Sequence, residues 1–189
     1  MTRARLTTAA VIADAAALAD EAGLAAVTLS ALARRLDVRT PSLYTHVRDH
    51  DALLDGITAL ALAELAAQVS AAIAGRSGGA ALEAFAAAHR VYARESPGRW
   101  QSLQRRAGEA AVRSPAAREV VELTGAVLRD YPVPPADHVH AVRLLGSAIN
   151  GFLALERVGS FDHSKPEPEE SWDKMITVLD GTLRAWPAS

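Results

Sequence analysis

Apolar residues recur along almost the whole chain at the three- and four-residue spacing of a helix, and no stretch alternates as a strand would. Val11, Ile12, Ala15, Leu18 and Ala19 form one stripe over about residues 6–22, with Gly23 just past its end. Leu29, Leu32, Ala33 and Leu36 form a second, with Thr28 placed to cap it. Asp37-Val38-Arg39 ends that helix because Thr40-Pro41 follows. Proline disfavours helical backbone at the residue before it and suits the first turn of a new helix. Thr40 is therefore expected as N-cap and Pro41 at the first helical position, with Leu43 and Val47 on the buried side. A long fourth helix is expected from Asp49 to about Ala74, with Leu53, Leu54, Ile57, Leu60, Ala61, Leu65 and Val69 facing inward. Leu82, Phe85, His89 and Tyr92 line a fifth, which stops before Pro97. Trp100 and Leu103 lie on a short piece, and Ser114-Pro115 opens a helix that ends near Asp130. Two long helices close the chain, over about 136–158 and 169–186.

The pattern predicts an all-α fold of about nine helices. A three-helix head containing a helix-turn-helix, residues 1–48, is joined by the long fourth helix to a C-terminal bundle, residues 49–189. No flexible linker lies at 47–51, so movement in the bundle would reorient the head, as a ligand-switched regulator requires.

A helix-turn-helix offers its second helix to a DNA major groove. At about 100° per residue, Leu43 and Val47 share one face of that helix, while Pro41, Tyr44 and Thr45 point roughly the other way with Ser42 beside them. Arg39 and Thr40 sit at the end that usually meets base edges, and an arginine can bind guanine through two parallel hydrogen bonds. Tyr44 and His46 can donate to phosphate oxygens. Thr28 and Ser30, at the start of the first helix of the pair, and His50, at the start of the next, complete the candidate DNA-binding set.

Ala33, Leu36, Val38, Pro41, Leu43-Tyr44, His46-Val47 and Leu53 carry a resemblance to the TetR-type transcriptional regulators. The family pattern runs roughly L-A-x-x-x-G-V-[ST]-x-[PG]-x-L-Y-x-H-[FV]-x-x-K-x-x-L, and the likeness covers about residues 5–55. A weaker one lies near Asn150-Gly151-Phe152, and the rest agrees in length and helical character. Three positions depart from the pattern. Asp37 stands where the family has glycine, and aspartate tolerates the left-handed backbone better than most residues. Arg39 replaces Ser, Thr or an acidic residue and bears on operator choice, while His50 replaces a phosphate-holding lysine. The resemblance implies a DNA-binding regulator, most often a repressor, that releases its operator when a small molecule binds the C-terminal bundle.

Composition narrows this little. Half the residues are apolar, so a core can be buried, and the formal net charge is -2. The first fifty residues hold six arginines, Arg3 and Arg5 among them, against five acidic residues, so DNA binding rests on placement rather than total charge. The absence of cysteine excludes a disulfide framework, a thiolate zinc site and a cysteine nucleophile. Residues 57–74 come nearest to a membrane span, but Glu64, Gln68 and Ser70 interrupt them. With no secretory signal visible, the expected location is the cytoplasm, with no cofactor, metal or membrane partner.

Other signals read two ways. Gly75–Gly79 matches G-x-S-x-G, but the hydrolase elbow needs a preceding strand, and a helix precedes it here. His138 and His140 are two apart, which on a helix turns them away from each other, so they are poor partners for one ion. A solvated helix start is the plainer reading of both, and His140 alternatively begins an inward stripe with Leu144, Ser147 or Ala148, Gly151 and Leu155. Arg105-Arg106 reads as a solvated pair or an anion contact. Phe85, His89, Tyr92, Trp100, Leu103 and Asn150 combine bulk with a few polar tips, as the lining of a mostly apolar effector pocket does, or as ordinary core does. Asn150 either pairs across a helix interface or touches a ligand.

The expected partners are therefore double-stranded DNA carrying an inverted repeat, a small hydrophobic effector, and a second copy of the chain. The copies would meet through the last two helices by Val142, Leu145, Ile149, Phe152, Met175, Ile176, Leu179 and Leu183. The alternative is a helical enzyme or small-molecule carrier with a coincidental helix-turn-helix. It lacks any visible catalytic set of paired carboxylates, thiol or phosphate loop. An architectural nucleic-acid binder would have a shorter second domain.

Overall fold

The computed structural model describes residues 6–187, so Arg3 and Arg5 lie outside the described residues. Among those residues there are ten α-helices, two 3₁₀ turns and no strand. The helices are α1 (Thr8–Ala22), α2 (Leu29–Arg35), α3 (Thr40–Leu43), α4 (His50–Ile73), α5 (Gly78–Glu95), α6 (Pro97–Ser102), α7 (Glu109–Val112), α8 (Pro115–Leu128), α9 (His138–Arg157) and α10 (Pro168–Arg184).

Short polar side chains start several of them by taking a first-turn N–H that has no helical partner. Thr7 accepts from Ala10 at 3.1 Å for α1, and Thr28 accepts from Ala31 at 3.1 Å for α2. Asp49 accepts from Ala52 at 2.7 Å for α4, and Ser114 accepts from Ala117 at 3.1 Å for α8. Gly23, at φ 85°, ends α1, and its N–H returns to the Ala19 carbonyl.

The chain forms two compact units, Met1–Ala66 with Tyr92–Glu119, and Ala67–Val91 with Val120–Ser189. They divide the chain differently from the boundary expected at residue 48, because α6 packs on α1 and so belongs with the head. The first unit has a core of Val11, Ala15, Ala19, Leu32, Leu43, Leu53 and Ile57. Arg99 on α6 ties it together. Its Nε donates to Asp20 of α1 at 2.7 Å, and its Nη1 donates to Glu64 of α4 at 2.7 Å. The Tyr92 hydroxyl also donates to Glu64, at 2.9 Å. Burial, and then that carboxylate, hold the Tyr92 hydroxyl above the usual phenol range.

In the second unit α9 packs on α10. Ala141, Leu145, Ile149 and Leu153 of α9 are buried, as are Trp172, Ile176, Leu179 and Leu183 of α10. This corrects one expectation and decides between two readings of His140. Leu145, Ile149, Ile176, Leu179 and Leu183 are spent on the protomer's own core and are not a surface for a second copy. His140 is exposed, and the stripe it begins, Leu144, Gly151 and Leu155, faces outward. The periodicity marked two stripes on α9, and only the packing tells which is turned inward. Buried Arg90 of α5 joins this unit, with Nη2 2.6 Å from Glu156 and Nη1 2.8 Å from Glu169. Its guanidinium lies 4.7 Å from the Trp172 ring centre, a cation–π distance.

By length and composition alone, α4 could cross a membrane, with 33% of its apolar window buried. No strand precedes Ser77 in Gly75–Gly79, which joins α4 to α5 by a turn, so the hydrolase elbow is not built.

Candidate nucleic-acid interface

The head places α2 and α3 either side of a turn at Asp37, whose backbone is left-handed at φ 51°. Aspartate thus fills the position where the TetR pattern has glycine. Val38 N–H bonds the Ala33 carbonyl at 2.9 Å and closes the end of α2. Leu43, fully buried, and Val47 anchor the second element, as their spacing predicted.

The start of that element differs from expectation. Arg39 is the N-cap and Thr40 the first helical residue, with no side-chain cap, so Pro41 lies one position further in. The helix is also a single turn. The N–H groups of Tyr44 and His46 reach back three residues, to Pro41 and Leu43, which tightens the backbone. The Thr45 hydroxyl donates to the Ser42 carbonyl at 2.8 Å.

Outward-facing groups match the chemistry of DNA binding. Arg39, Pro41, Ser42, Tyr44 and Thr45 are exposed, with Thr40 and His46 half-buried. Among the described residues neither Arg34 nor Arg39 has an ion pair, and the Tyr44 hydroxyl has no hydrogen-bond partner. The other described arginines of the head are committed. Arg35 holds Glu21 through two bonds at 2.6 and 2.8 Å, and Arg48 holds Asp49 at 2.7 Å. The Ala52 amide, and then Arg48, keep the Asp49 carboxyl below its ordinary range. Among the described residues Arg34 and Arg39 are therefore the head arginines without an ion pair, a distinction that residue counting cannot make.

Ser30 is exposed, while the Thr28 hydroxyl oxygen is occupied by its cap. The His50 Nε2 lies 2.7 Å from the Val27 carbonyl. Since a carbonyl only accepts, Nε2 carries the proton, and the neutral ring has only an acceptor left to offer. As a neutral ring His50 thus cannot donate to a phosphate from the lysine position.

The effector candidates divide between the units. Tyr92, Trp100 and Leu103 belong to the first, with Tyr92 and Trp100 each 2% exposed and Leu103 half-buried. Phe85, His89 and Asn150 belong to the second. His89 stacks on Phe85 at 4.3 Å between ring centres, and its Nδ1 lies 2.8 Å from the Phe85 carbonyl. Burial lowers the His89 pKa and favours the neutral ring. The Asn150 amide donates to the Gly146 carbonyl at 2.9 Å. Arg105 is not a solvated pair with Arg106, because it binds Asp55 at 2.5 Å. Sequence reasoning missed the Asp20–Arg99–Glu64 network, whose members lie far apart in the chain and follow no spacing rule.

Comparison with known proteins agrees with this geometry. Residues 11–57 match the bacterial regulatory proteins of the tetR family, and residues 82–179, over half the chain, match the tetracyclin repressor-like C-terminal domain. An uncharacterised HTH-type transcriptional regulator of Bacillus subtilis, YobS, is 26% identical over 181 residues, covering 96% of this chain and 95% of the relative. A second uncharacterised regulator, Rv0681 of Mycobacterium tuberculosis, is 29% identical over 161 residues, covering 84% of this chain and 74% of its own. BioQ of Mycobacterium smegmatis shares the fold, with a TM-score of 0.75, 23% identity, and coverage of 96% and 100% of the two chains. A TetR variant from Acinetobacter baumannii, solved in complex with minocycline, superposes with a TM-score of 0.72 and 23% identity, covering 98% of this chain and all of that one. With the helix-turn-helix and the C-terminal domain both matched, the chain belongs to the TetR family of DNA-binding transcriptional regulators.

Proposed function

We propose that this protein is a cytoplasmic, non-enzymatic repressor that binds an inverted-repeat operator as a two-fold dimer and releases it when a small hydrophobic molecule binds. One observation carries the DNA half of this reading, namely exposed Arg39 at the start of α3 and the Tyr44 hydroxyl at its end, neither with a partner among the described residues. Arg39 reads base edges, while Tyr44, Ser42 and His46 hold phosphates. Arg39→Ala should relax preference at particular base pairs by about 1–3 kcal/mol. Tyr44→Phe should weaken binding on all sequences alike, since phosphate carries no sequence information. Both are read by titrating cognate and point-mutated duplexes at fixed salt. Genomic fragments retained without an inverted repeat, and bound no better than random duplex, would sink the proposal.

The dimer reading is supported by the outer face of α9 and α10. Exposed Leu144 and Leu155 share one face of α9, exposed Val158 follows just past its end, and Val178 is exposed on α10. Gly151 and Gly181 lie on these same faces, and a Cβ at either would meet nothing within 4 Å. Glycine in mid-helix costs about 1 kcal/mol against alanine. Nothing inside the protomer asks for it there, whereas close approach of a second copy does. Leu155→Glu should leave a folded monomer by sedimentation, whereas a charge at buried Leu179 should disrupt the protomer itself. A dimer that persists in Leu155→Glu and in Val178→Lys would place the contact elsewhere.

The effector half rests on family membership and on the minocycline bound by the Acinetobacter relative. Phe85 and His89 remain proposed ligand contacts in the second unit, and Asn150 is a further one there. In the first, Tyr92, Trp100 and Leu103 are proposed to respond to the effector.

A further inference from the structure

An open groove of about 540 Å³ runs between the end of α4 and α5, and none of the residues proposed above lines it. Gln68 and Ala72 line it from α4, and Ala84, Ala87 and Ala88 from α5. Gln68 and Ala72 are four apart and share one face of α4, and Arg76 follows in the turn after it. Alanine lets two helices approach but ends at Cβ, so the space beyond stays unfilled. Its volume lies within the range of roughly 300–1,000 Å³ typical of small-molecule sites.

Two features define what the groove would accept. The Gln68 Oε1 atom is buried and has no hydrogen-bond partner. A buried acceptor without a donor is a standing cost, and few native groups bear it unexplained. Gln68 is itself a lining residue of the groove, so a donor on a molecule bound there would satisfy this oxygen. The second feature is the charge balance. Arg76 and Glu83 also line the groove and have opposite sign. Glu83 has no ion pair among the described residues, and the Arg76 guanidinium donates to the Ala72 carbonyl in the last turn of α4. The groove therefore has no net charge with which to select an anion or a cation.

We propose that this groove binds a slender, neutral, apolar molecule that donates a hydrogen bond to Gln68. The inference deepens the effector reading and rests on it for any consequence at DNA, but the binding itself is measured separately. A carboxylate or phosphate would set an acceptor against Gln68 Oε1 and would bind poorly. Amides and alcohols on a short alkyl or aryl body fit.

The test uses octanamide, methyl octanoate and octanoate as probes, titrated calorimetrically into the full-length protein. Octanamide should bind about tenfold more tightly than methyl octanoate, which has no donor. Octanoate should be the weakest. Gln68→Leu should remove the preference for the amide. Ala87→Trp, at an exposed wall position, should abolish binding of both neutral probes with the melting temperature kept. Equal affinity for amide and ester in the unaltered protein, or undiminished octanamide binding in Ala87→Trp, would overturn the proposal. Octanamide binding that requires Gln68 but leaves operator retention unchanged would support the groove and sink its effector role, so the two failures are distinguishable.

Discussion

Gly98→Ala should lower stability by about 3 kcal/mol, a fall in melting temperature of roughly 6–12 °C for a chain of this size. Gly98 lies in the first turn of α6, where α6 touches α1 most closely. A Cβ there would stand 2.5 Å from the Asp20 amide nitrogen and nearer still to the Ala19 carbonyl carbon and oxygen. These are backbone atoms of a packed helix and cannot swing aside. Helix propensity alone would make the substitution favourable, since alanine is better than glycine by about 1 kcal/mol. The sign of the result therefore separates packing from propensity. Gly125, inside α8, supplies the control, because a Cβ there would meet nothing within 4 Å. Gly125→Ala should raise the melting temperature slightly, by the propensity gain alone. If Gly98→Ala melted as the unaltered protein does, the α1–α6 contact would be looser than described. DNA affinity should fall with it, because α1 is part of the head's core.

The second large effect is expected at Arg90. Its side chain is 6% exposed, and that of its partner Glu156 is 18% exposed, so the pair sits largely out of water. The Glu169 side chain is 65% exposed, and its ion pair contributes little after solvent screening. Arg90→Met keeps much of the packing against Trp172 but takes the guanidinium away from the largely buried Glu156 carboxylate. Removing one member of a buried pair costs about 3–5 kcal/mol, and the partial exposure here brings the expectation to about 2–3 kcal/mol. Arg90→Met with Glu156→Leu should recover most of that loss, because the largely buried carboxylate that faced the guanidinium is removed with it. Denaturant titration of the two variants decides the matter. A double variant no more stable than the single one would mean that the cation–π contact with Trp172, and not the ion pair, carries the stabilisation.

The helical architecture was legible because its signals are local. Stripes at helical spacing, the Thr28 and Ser114 caps and the Thr40-Pro41 break each act within a few residues. The turn at Asp37 was readable for the same reason. Which face of α9 is inward was not, since Leu145, Ile149 and Leu153 differ from Leu144, Gly151 and Leu155 only by one step around the helix. The choice depends on α10, distant in sequence. The recognition element showed a similar limit. Its buried anchors Leu43 and Val47 were evident, but the tightening after one turn depends on backbone bonds that no residue type announces. At the candidate interface, residue identity named Arg39 and Tyr44. It could not show that Arg35 and Arg48 are neutralised by Glu21 and Asp49, or that Val27 occupies His50. Charge pairing is a property of the folded surface, and the sequence lists only its ingredients.

The Asp20 carboxylate has a consequence for amide exchange. A helix starting with proline has no N–H at its first position, and its next two are normally left to solvent. In α6 those two, Gly98 and Arg99, both donate to Asp20 Oδ1 at 2.9 Å. Their protons are thus shielded from deuterium only while α1 holds its place. Exchange at these two sites times each separation of α1 from α6, and it does so without a label on the DNA-reading surface. Operator binding should slow that clock, and a ligand that loosens the head should speed it.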